Sequence, residues 1–240
     1  LAAQAGVRHS IKHPDEYNDN NLVGFFNLID VSRINKVKHF IYASTSSVYG
    51  DSKKFPTKEK ENTNNPLSIY AATKKCNEII AYSFSNIYKL PTTGLRFFTV
   101  YGPYGRPDMS LFTFCKNILE NTKINLYNSG RHYRDFTYID DLVRMISKLL
   151  KSPSRKKIPY QIYNLGSSRT VYLKSFVKLI EDEIGKRAII KNLNKQKGDV
   201  IKTYSSISKY NKRFKKFKKT SIKKGVKEFV KWYKEYYRLA

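Results

Sequence analysis

The chain has 240 residues, and 40% of them are apolar, which is enough for one large globular domain or two small ones. No apolar run approaches the ~18 residues needed to span a bilayer, and no signal peptide is visible, so we expect a cytoplasmic protein without a membrane partner. The net charge is +27, from 46 basic and 19 acidic residues. Since 34 of the basic residues are Lys, in a chain also rich in Asn, Ile and Tyr, we attribute the excess mainly to a biased genome.

The densest basic run covers residues 212–219, near the carboxyl end of the chain. We interpret it as a solvated face or a connector, and the alternative is a polyanion site. Cys76 and Cys115 have neither disulfide nor metal-ligand spacing, so we expect two packed thiols and no metal.

Apolar periodicity and turn residues predict alternating helices and strands. In chain order they are helix 14–35, strand 37–43, surface loop 51–66, helix 68–89, strand 92–98, helix 108–121, strand 124–127, helix 142–150, basic loop 152–159, strand 160–165, helix 171–185, strand 188–190 and helix 222–237.

Tyr70 and Lys74 lie four residues apart in helix 68–89, so they share one helix face about a turn from each other. A phenol titrates near pKa ~10, and an adjacent ammonium favours the phenolate. The spacing therefore predicts a general base that works near neutral pH. The alternative is coincidence, because the chain contains 19 Tyr.

Hydroxyl side chains follow strand 37–43 at residues 44–47, and strand 92–98 runs into Thr99. The carboxyl ends of parallel strands are where open α/β sheets bind ligands. With these features the sequence resembles the NAD-dependent epimerase/dehydratase family, which belongs to the extended short-chain dehydrogenases/reductases. The resemblance is carried by residues 1–8, 43–50, 70–74, 96–109 and 134–141.

The resemblance implies an α/β fold, with a Rossmann-like doubly wound parallel sheet and a smaller α/β substrate-binding subdomain. Residues 1–105 would be the carboxyl-terminal part of the NAD-binding domain. Residues 106–240 would form mainly the nucleotide-sugar subdomain, with some segments returning to the first domain. Neither Gly-x-Gly-x-x-Gly nor Gly-x-x-Gly-x-x-Gly is present, so we expect the amino-terminal glycine-rich part to be missing.

The family chemistry implies NAD as cofactor, a UDP-sugar as substrate, and 4-epimerisation through a 4-keto sugar. The implied catalytic residues are Thr45, Tyr70 and Lys74. The implied cofactor-binding residues are Ala2, Ala3, Asn21, Ser44, Tyr70, Lys74 and Phe98. The implied substrate-binding residues are Arg8, Thr45, Thr99, Arg106, Arg134 and Asp199.

Several of these residues also have a purely structural interpretation. Asn21 could be an exposed amide, Thr45 a strand-end cap and Phe98 ordinary core. Each arginine could be a surface or structural ion pair.

Within the family, dehydratases place Asp-Glu after the Thr that corresponds to Thr45, and decarboxylases place a Glu before Val-Tyr-Gly. Here Ser46 and Ser47 occupy those positions, which favours epimerisation. Arg106 matches a signature of the epimerases that act on uronates, so the predicted reaction is UDP-glucuronate to UDP-galacturonate.

Three alternatives remain open at this point. The chain could act on another UDP-sugar, such as UDP-glucose or a UDP-N-acetylhexosamine. It could be an inactive truncated remnant, or a basic nucleic-acid-binding protein. The resemblance further implies a homodimer through the helix that carries Tyr70 and the helix before it.

Overall fold

The computed structural model describes residues 3–196 and 198–239. The described α-helices are α1 (Val7–Lys12), α2 (Pro14–Tyr17), α3 (Gly24–Ile34), α4 (Ile69–Tyr88), α5 (Ser110–Leu119), α6 (Ile139–Leu150), α7 (Leu173–Ile184), α8 (Ser208–Arg213) and α9 (Ile222–Tyr236). The described strands are β1 (Phe40–Thr45), β2 (Thr92–Phe97), β3 (Thr99–Tyr101), β4 (Lys123–Tyr127), β5 (Tyr133–Arg134), β6 (Phe136–Tyr138), β7 (Tyr160–Leu165), β8 (Val171–Tyr172) and β9 (Ile189–Leu193).

The chain divides into two compact units, each built from three segments. The first unit comprises Leu1–Phe98, Arg144–Leu165 and Ser205–Lys215. The second unit comprises Thr99–Val143, Gly166–Tyr204 and Lys216–Ala240.

The sheet of the first unit is parallel, with the strand order β1-β2-β7. In the register, Phe40 lies beside Thr92, which lies beside Tyr160, so all three strands start at one edge and end at the other. Helices α3 and α4 pack on this sheet through a core of Phe25, Ile29, Tyr42, Ala81, Phe84 and Leu90. Parallel strands joined through helices confirm the predicted α/β class.

Helix α4 matches the predicted helix 68–89 closely, because its end signals are local. The Ser68 hydroxyl accepts a hydrogen bond from the Ala71 backbone N–H at 3.2 Å, which caps the amino end. At the other end Lys89 adopts a left-handed conformation with φ of 56°, which stops the helix. Two consecutive alanines in the first turns favour helix without competing side-chain bonds.

The predicted helix 14–35 is interrupted, because a π-helical turn at Asn18–Val23 separates α2 from α3. In this turn the Asn20 side-chain amide donates to the Glu16 backbone carbonyl at 2.8 Å, so a side chain takes up a backbone acceptor. The hydrophobic pattern of the sequence predicts a helix here, but it does not reveal that one of its turns is π-helical and holds an extra residue.

Three further expectations differ from the structure. Strand β1 starts at Phe40 and reaches Thr45, later than predicted. The predicted helix 171–185 begins as strand β8, because Tyr172 pairs with Tyr133 in an antiparallel ladder. Helix α8 was not predicted, since its six residues carry a dense charge run and only one buried side chain, Tyr210.

The second unit contains three two-stranded sheets and an aromatic core. Strands β3 and β6 pair in parallel, as do β4 and β9, whereas β5 and β8 are antiparallel. Helices α5, α7 and α9 bury residues such as Phe112, Phe176 and Phe229 in this core. Gly225 on α9 is required there, because a Cβ at this position would clash with the ring and hydroxyl of Tyr101.

The structure agrees only in part with the predictions of two packed thiols and of a solvated basic run. Cys76 is exposed on α4, so the prediction of a packed thiol is wrong for it and correct for the buried Cys115. Within the basic run 212–219, the Arg213 guanidinium donates to Gln161 Oε1 at 2.7 Å, and Lys219 Nζ donates to the Gly166 carbonyl at 3.0 Å. Two cations of the run are thus anchored to the protein, while Lys212, Lys215, Lys216 and Lys218 are exposed.

None of the helices found in the described part of the chain combines the length and apolarity required to cross a membrane.

We expect Ser68→Ala to lower the free energy of unfolding by about 1 kcal/mol, because the first turn of α4 loses its cap. Chemical denaturation followed by circular dichroism measures the loss. Ser221→Ala is the matched control, since Ser221 caps α9 through the Lys224 N–H at 3.3 Å. Both variants should lose similar stability, because each removes one side-chain cap from a long helix. A loss confined to Ser221→Ala would contradict the role of Ser68 as a cap.

Candidate active site

Helix α4 presents Tyr70 and Lys74 one turn apart, as the spacing predicts. Tyr70 is half-buried, and its ring lies edge-on to the ring of Tyr17, with centroids 6.1 Å apart. Tyr17 is itself fully buried and donates its hydroxyl to the Gly6 carbonyl at 2.7 Å. The Tyr70 ring is therefore positioned by a side chain that is fixed in the core.

Lys74 is buried, with a relative exposure of 4%, although it carries a charge. Burial lowers the pKa of its ammonium to about 8, because the charged form loses hydration. Among the described residues its Nζ makes no hydrogen bond and no ion pair. A buried cation is normally paired with a carboxylate, so Lys74 is available to a bound anion, hydroxyl or phenolate.

Thr45 ends β1 and is buried at the carboxyl edge of the sheet. Its hydroxyl oxygen accepts a hydrogen bond from the Ser47 backbone N–H at 3.2 Å and thereby caps a 3₁₀ turn at Ser46–Tyr49. The structural alternative considered for Thr45, a strand-end cap, is therefore realised. The catalytic role proposed for the hydroxyl stays a prediction.

Asn21 is fully buried, so the alternative of an exposed amide is wrong. Its Oδ1 accepts from the Gln4 backbone N–H at 2.9 Å, and its Nδ2 donates to the Gln4 carbonyl at 2.9 Å. The same Nδ2 donates to Thr73 Oγ1 at 3.2 Å. Asn21 thus ties the residues that precede α1 to α4, next to Lys74.

The other residues predicted to bind the cofactor have different surroundings. Ser44 is buried, and its hydroxyl donates to Glu78 Oε1 at 2.6 Å. Phe98 is buried in a cluster with Val48 and Tyr49, as the core interpretation expected. Ala3 is exposed, and Ala2 lies outside the described residues.

A hydrogen-bonded network that the motif analysis missed surrounds the carboxylate of Glu78, four residues after Lys74. Arg96 is 3% exposed and binds Glu78 with two bonds of 2.8 Å, from Nε to Oε1 and from Nη2 to Oε2. Although burial opposes its charge, the hydrogen bond to Glu78 raises the pKa of Arg96. The sequence carried one signal for this pair, namely a charged residue inside an apolar strand.

The network continues from Arg96 to two further elements. Arg96 Nη1 donates to the Tyr49 hydroxyl at 2.9 Å and to the Glu59 backbone carbonyl at 3.0 Å. Tyr49 donates to Asn164 Oδ1 at 2.6 Å, and burial raises the pKa of its phenol to about 12. The network therefore links α4, β2, the turn after β1 and β7 within the first unit.

In the second unit, Thr99 and Arg106 line one pocket together with Met109 and the aromatic side chains Phe112, Phe136 and Phe229. The Arg106 guanidinium forms a two-bond ion pair with Asp108, in which Nε donates to Oδ1 at 2.9 Å. This is the ion pair considered as the structural alternative for Arg106. The pocket combines one cation with an apolar wall.

Three other residues predicted to bind the substrate do not line this pocket, namely Arg8, Arg134 and Asp199. The Arg134 Nη1 donates to the Tyr133 and Ile201 carbonyls at 3.1 and 3.0 Å, so the guanidinium is held on the backbone. Asp199 is half-buried in the second unit, and Arg8 is exposed on α1 in the first unit.

The described residues contain no group of three or more His, Cys, Asp or Glu side chains that could hold a metal ion.

Comparison with known proteins shows that this chain is similar to one protein family over most of its length. The profile described as the NAD dependent epimerase/dehydratase family matches residues 1–166. Protein CapI of Staphylococcus aureus is 46% identical over 99% of this chain and 75% of its own length. A probable UDP-glucuronate 4-epimerase of Rhizobium meliloti is 42% identical over 100% of this chain and 75% of its own length.

A solved structure shows the same likeness. The UDP-glucuronic acid 4-epimerase of Bacillus cereus, in complex with UDP-glucuronic acid and NAD, has a TM-score of 0.92 and 32% identity. The match covers 99% of this chain and 74% of that one. The predicted Rossmann-like fold is therefore confirmed.

We expect Lys74→Met to stabilise the cofactor-free protein below pH 8 by on the order of 3 kcal/mol, because it removes an unpaired buried charge. The pKa of Lys74 is about 8 in the fold against 10.5 for an unhindered lysine, so between these values the unfolded chain binds more protons. The native protein consequently gains stability with rising pH in this window, and the advantage of the variant shrinks.

Denaturation at pH 7 and pH 10 measures this effect. Lys75→Met, which removes a partly exposed lysine of the same helix, is the control and should show no such pH dependence. An equal advantage of Lys74→Met at both pH values would contradict a lowered pKa.

Proposed function

Because the chain belongs to the NAD-dependent epimerase/dehydratase family and is an NAD-dependent UDP-sugar 4-epimerase, we propose that its substrate is UDP-glucuronate, which it converts to UDP-galacturonate. The observation that carries the proposal is Arg106, which lines one pocket with Thr99, and the chemistry rests on the buried, unpaired Lys74 one turn from Tyr70 on α4. This pair supplies a base for a sugar hydroxyl.

The residues present fit NAD at this site. The ammonium of Lys74 has no partner among the described residues, and a ribose hydroxyl could accept hydrogen bonds from it. When bound, NAD supplies hydride acceptance and hydride return. The residues proposed to hold it are Lys74, Tyr70, Asn21, Ser44, Phe98, Ala3 and, outside the described residues, Ala2.

In the proposed reaction, Lys74 stabilises the phenolate form of Tyr70, and this phenolate takes the proton of the C4 hydroxyl and becomes a neutral phenol. The Thr45 hydroxyl holds the reacting sugar hydroxyl by a hydrogen bond. After the 4-keto sugar has turned in the site, Tyr70 returns the proton to the oxygen on C4. The proton count is therefore unchanged over one cycle.

Epimerisation is favoured over elimination because no acid follows Thr45. Ser46 and Ser47 stand there, and Ser47 is engaged by the Thr45 hydroxyl through both its N–H and its Oγ at 3.2 Å. Without a carboxylic acid, this turn offers no strong proton donor to a leaving hydroxyl.

The preference for a uronate rests on the second unit. We propose that Arg106, with Thr99 in the same pocket, binds the sugar and its carboxylate, since guanidinium and carboxylate match as two-bond partners. Arg134 is proposed for the diphosphate, Asp199 for the uridine ribose and Arg8 for the sugar.

The proposed homodimer would use α3 and α4. Both helices expose large apolar side chains, with relative exposures between 49% and 65%, namely Phe26, Val31, Ile34, Ile79 and Ile87. Exposed apolar side chains clustered on neighbouring helices are typical of interaction surfaces. We also propose that the product serves the synthesis of surface polysaccharides.

The purified protein as its cell makes it, supplied with NAD, should interconvert UDP-glucuronate and UDP-galacturonate faster than it interconverts UDP-glucose and UDP-galactose or the UDP-N-acetylhexosamines. Separation of the sugar nucleotides by chromatography measures each rate. Tyr70→Phe should lower kcat about 10²- to 10⁴-fold, because the base is lost. A faster reaction with a neutral UDP-sugar would establish the alternative substrate and refute the uronate.

We expect Arg106→Met to raise KM for UDP-glucuronate about tenfold or more, with little change for UDP-glucose, because a charge-assisted bond to the carboxylate is worth about 1.5–3 kcal/mol. Asp108→Asn is the matched control, since it breaks the same ion pair but keeps the guanidinium. It should leave the discrimination between the two substrates intact. A uniform KM increase for both substrates would contradict recognition of the carboxylate.

A further inference from the structure

Lys74 and Glu78 stand four residues apart on α4, with Cβ atoms expected at about 6 Å. Opposite charges at this spacing ordinarily pair across one helical turn. Both side chains are buried, with exposures of 4% and 1%, which strengthens the attraction between them. Nevertheless Lys74 forms no ion pair with any described residue.

The reason is that both oxygens of the Glu78 carboxylate are engaged elsewhere. Its Oε1 accepts from Ser44 Oγ at 2.6 Å and from Arg96 Nε at 2.8 Å. Its Oε2 accepts from Arg96 Nη2 at 2.8 Å and lies 3.7 Å from Lys75 Nζ. A carboxylate has about four acceptor positions, and three of them are filled here by hydrogen bonds, two of which come from a cation that already neutralises the charge.

Arg96 is fixed from its other side as well. Its Nη1 donates to the Tyr49 hydroxyl and the Glu59 carbonyl, and its guanidinium lies 4.8 Å from the centroid of the Tyr49 ring. A planar guanidinium that donates to acceptors on both of its edges is held in one orientation toward the carboxylate. Arg96 is therefore the hydrogen-bonded ion partner of Glu78.

We propose that Arg96 is a positioning residue that occupies Glu78 and thereby keeps Lys74 from pairing with it. Lys74 then remains directed to Tyr70 and the cofactor. The inference rests on the proposed function, because an unpaired Lys74 matters only if it acts beside Tyr70.

A different result is expected if the Arg96–Glu78 ion pair has only a structural role. Breaking a buried ion pair destabilises a protein in either case, so a loss of stability in Arg96→Met does not separate the two roles. The proposal requires instead that Lys74 changes its partner when Arg96 is absent. The effect of replacing Lys74 in the two backgrounds measures this change.

The first experiment is a thermal-stability cycle on the cofactor-free protein. In the native background, Lys74→Met should raise Tm, because it removes an unpaired buried charge. In the Arg96→Met background it should lower Tm, because Lys74 then neutralises Glu78. An increase of equal size in both backgrounds would overturn the proposal.

Should Arg96→Met fail to fold, the cycle is run with Arg96→Lys, which keeps one charge but loses the two-bond geometry. The Tm gain from Lys74→Met should then be clearly smaller than in the native background. An undiminished gain would overturn the proposal equally.

The second experiment measures kcat with UDP-glucuronate. Arg96→Met should lower kcat about 100-fold or more, because Glu78 withdraws Lys74 from the base. Arg96→Met/Glu78→Gln should recover activity to within about tenfold of the native enzyme, since no carboxylate remains to capture Lys74. Lys75→Met, which removes the weaker cation beside Glu78, is the control and should stay near native activity.

A double variant as inactive as Arg96→Met would refute the proposal. If the native protein epimerises no UDP-sugar, the proposed function fails. The Tm cycle still decides this inference in that case, because it uses neither substrate nor cofactor.

Discussion

The buried carboxylate of Glu78 is the constraint on which the geometry of the first unit depends. A buried carboxylate is costly unless it is paired and hydrogen-bonded, and here the hydrogen bonds come from β1 and β2, while Lys75 of α4 adds an ion pair at 3.7 Å. Rotation of α4 about its axis would break several of these bonds at once. The carboxylate therefore fixes which face of α4 meets the sheet, and this face places Lys74 inside and Tyr70 at its margin.

The second unit also contains a buried carboxylate that several donors hold in place. Asp135 is fully buried, and its carboxylate accepts from the Ser167 backbone N–H and hydroxyl at 2.7 Å and from the Ser168 N–H at 3.2 Å. These hydrogen bonds hold the loop after β7 against the segment between β5 and β6.

Sequence reasoning succeeded where the signal is local. The ends of α4, the bounds of β7 and the Tyr70–Lys74 spacing are encoded within a few residues of each other, as are the family motifs. It failed where partners are distant in the chain: Arg96 lies 18 residues from Glu78, and Asn21 lies 52 residues from Thr73. Burial of Asn21 and exposure of Cys76 depend on tertiary packing, which periodicity alone does not report.

The π-helical turn at Asn18–Val23 has a consequence for how this segment can change through evolution. A π turn holds one residue more than an α turn. Deleting one residue would restore a regular α turn and would change the directions of the side chains within that turn. Asn21 would then no longer face both Gln4 and Thr73. The segment should consequently accept many substitutions on its exposed side, yet insertions and deletions should be absent from active homologues.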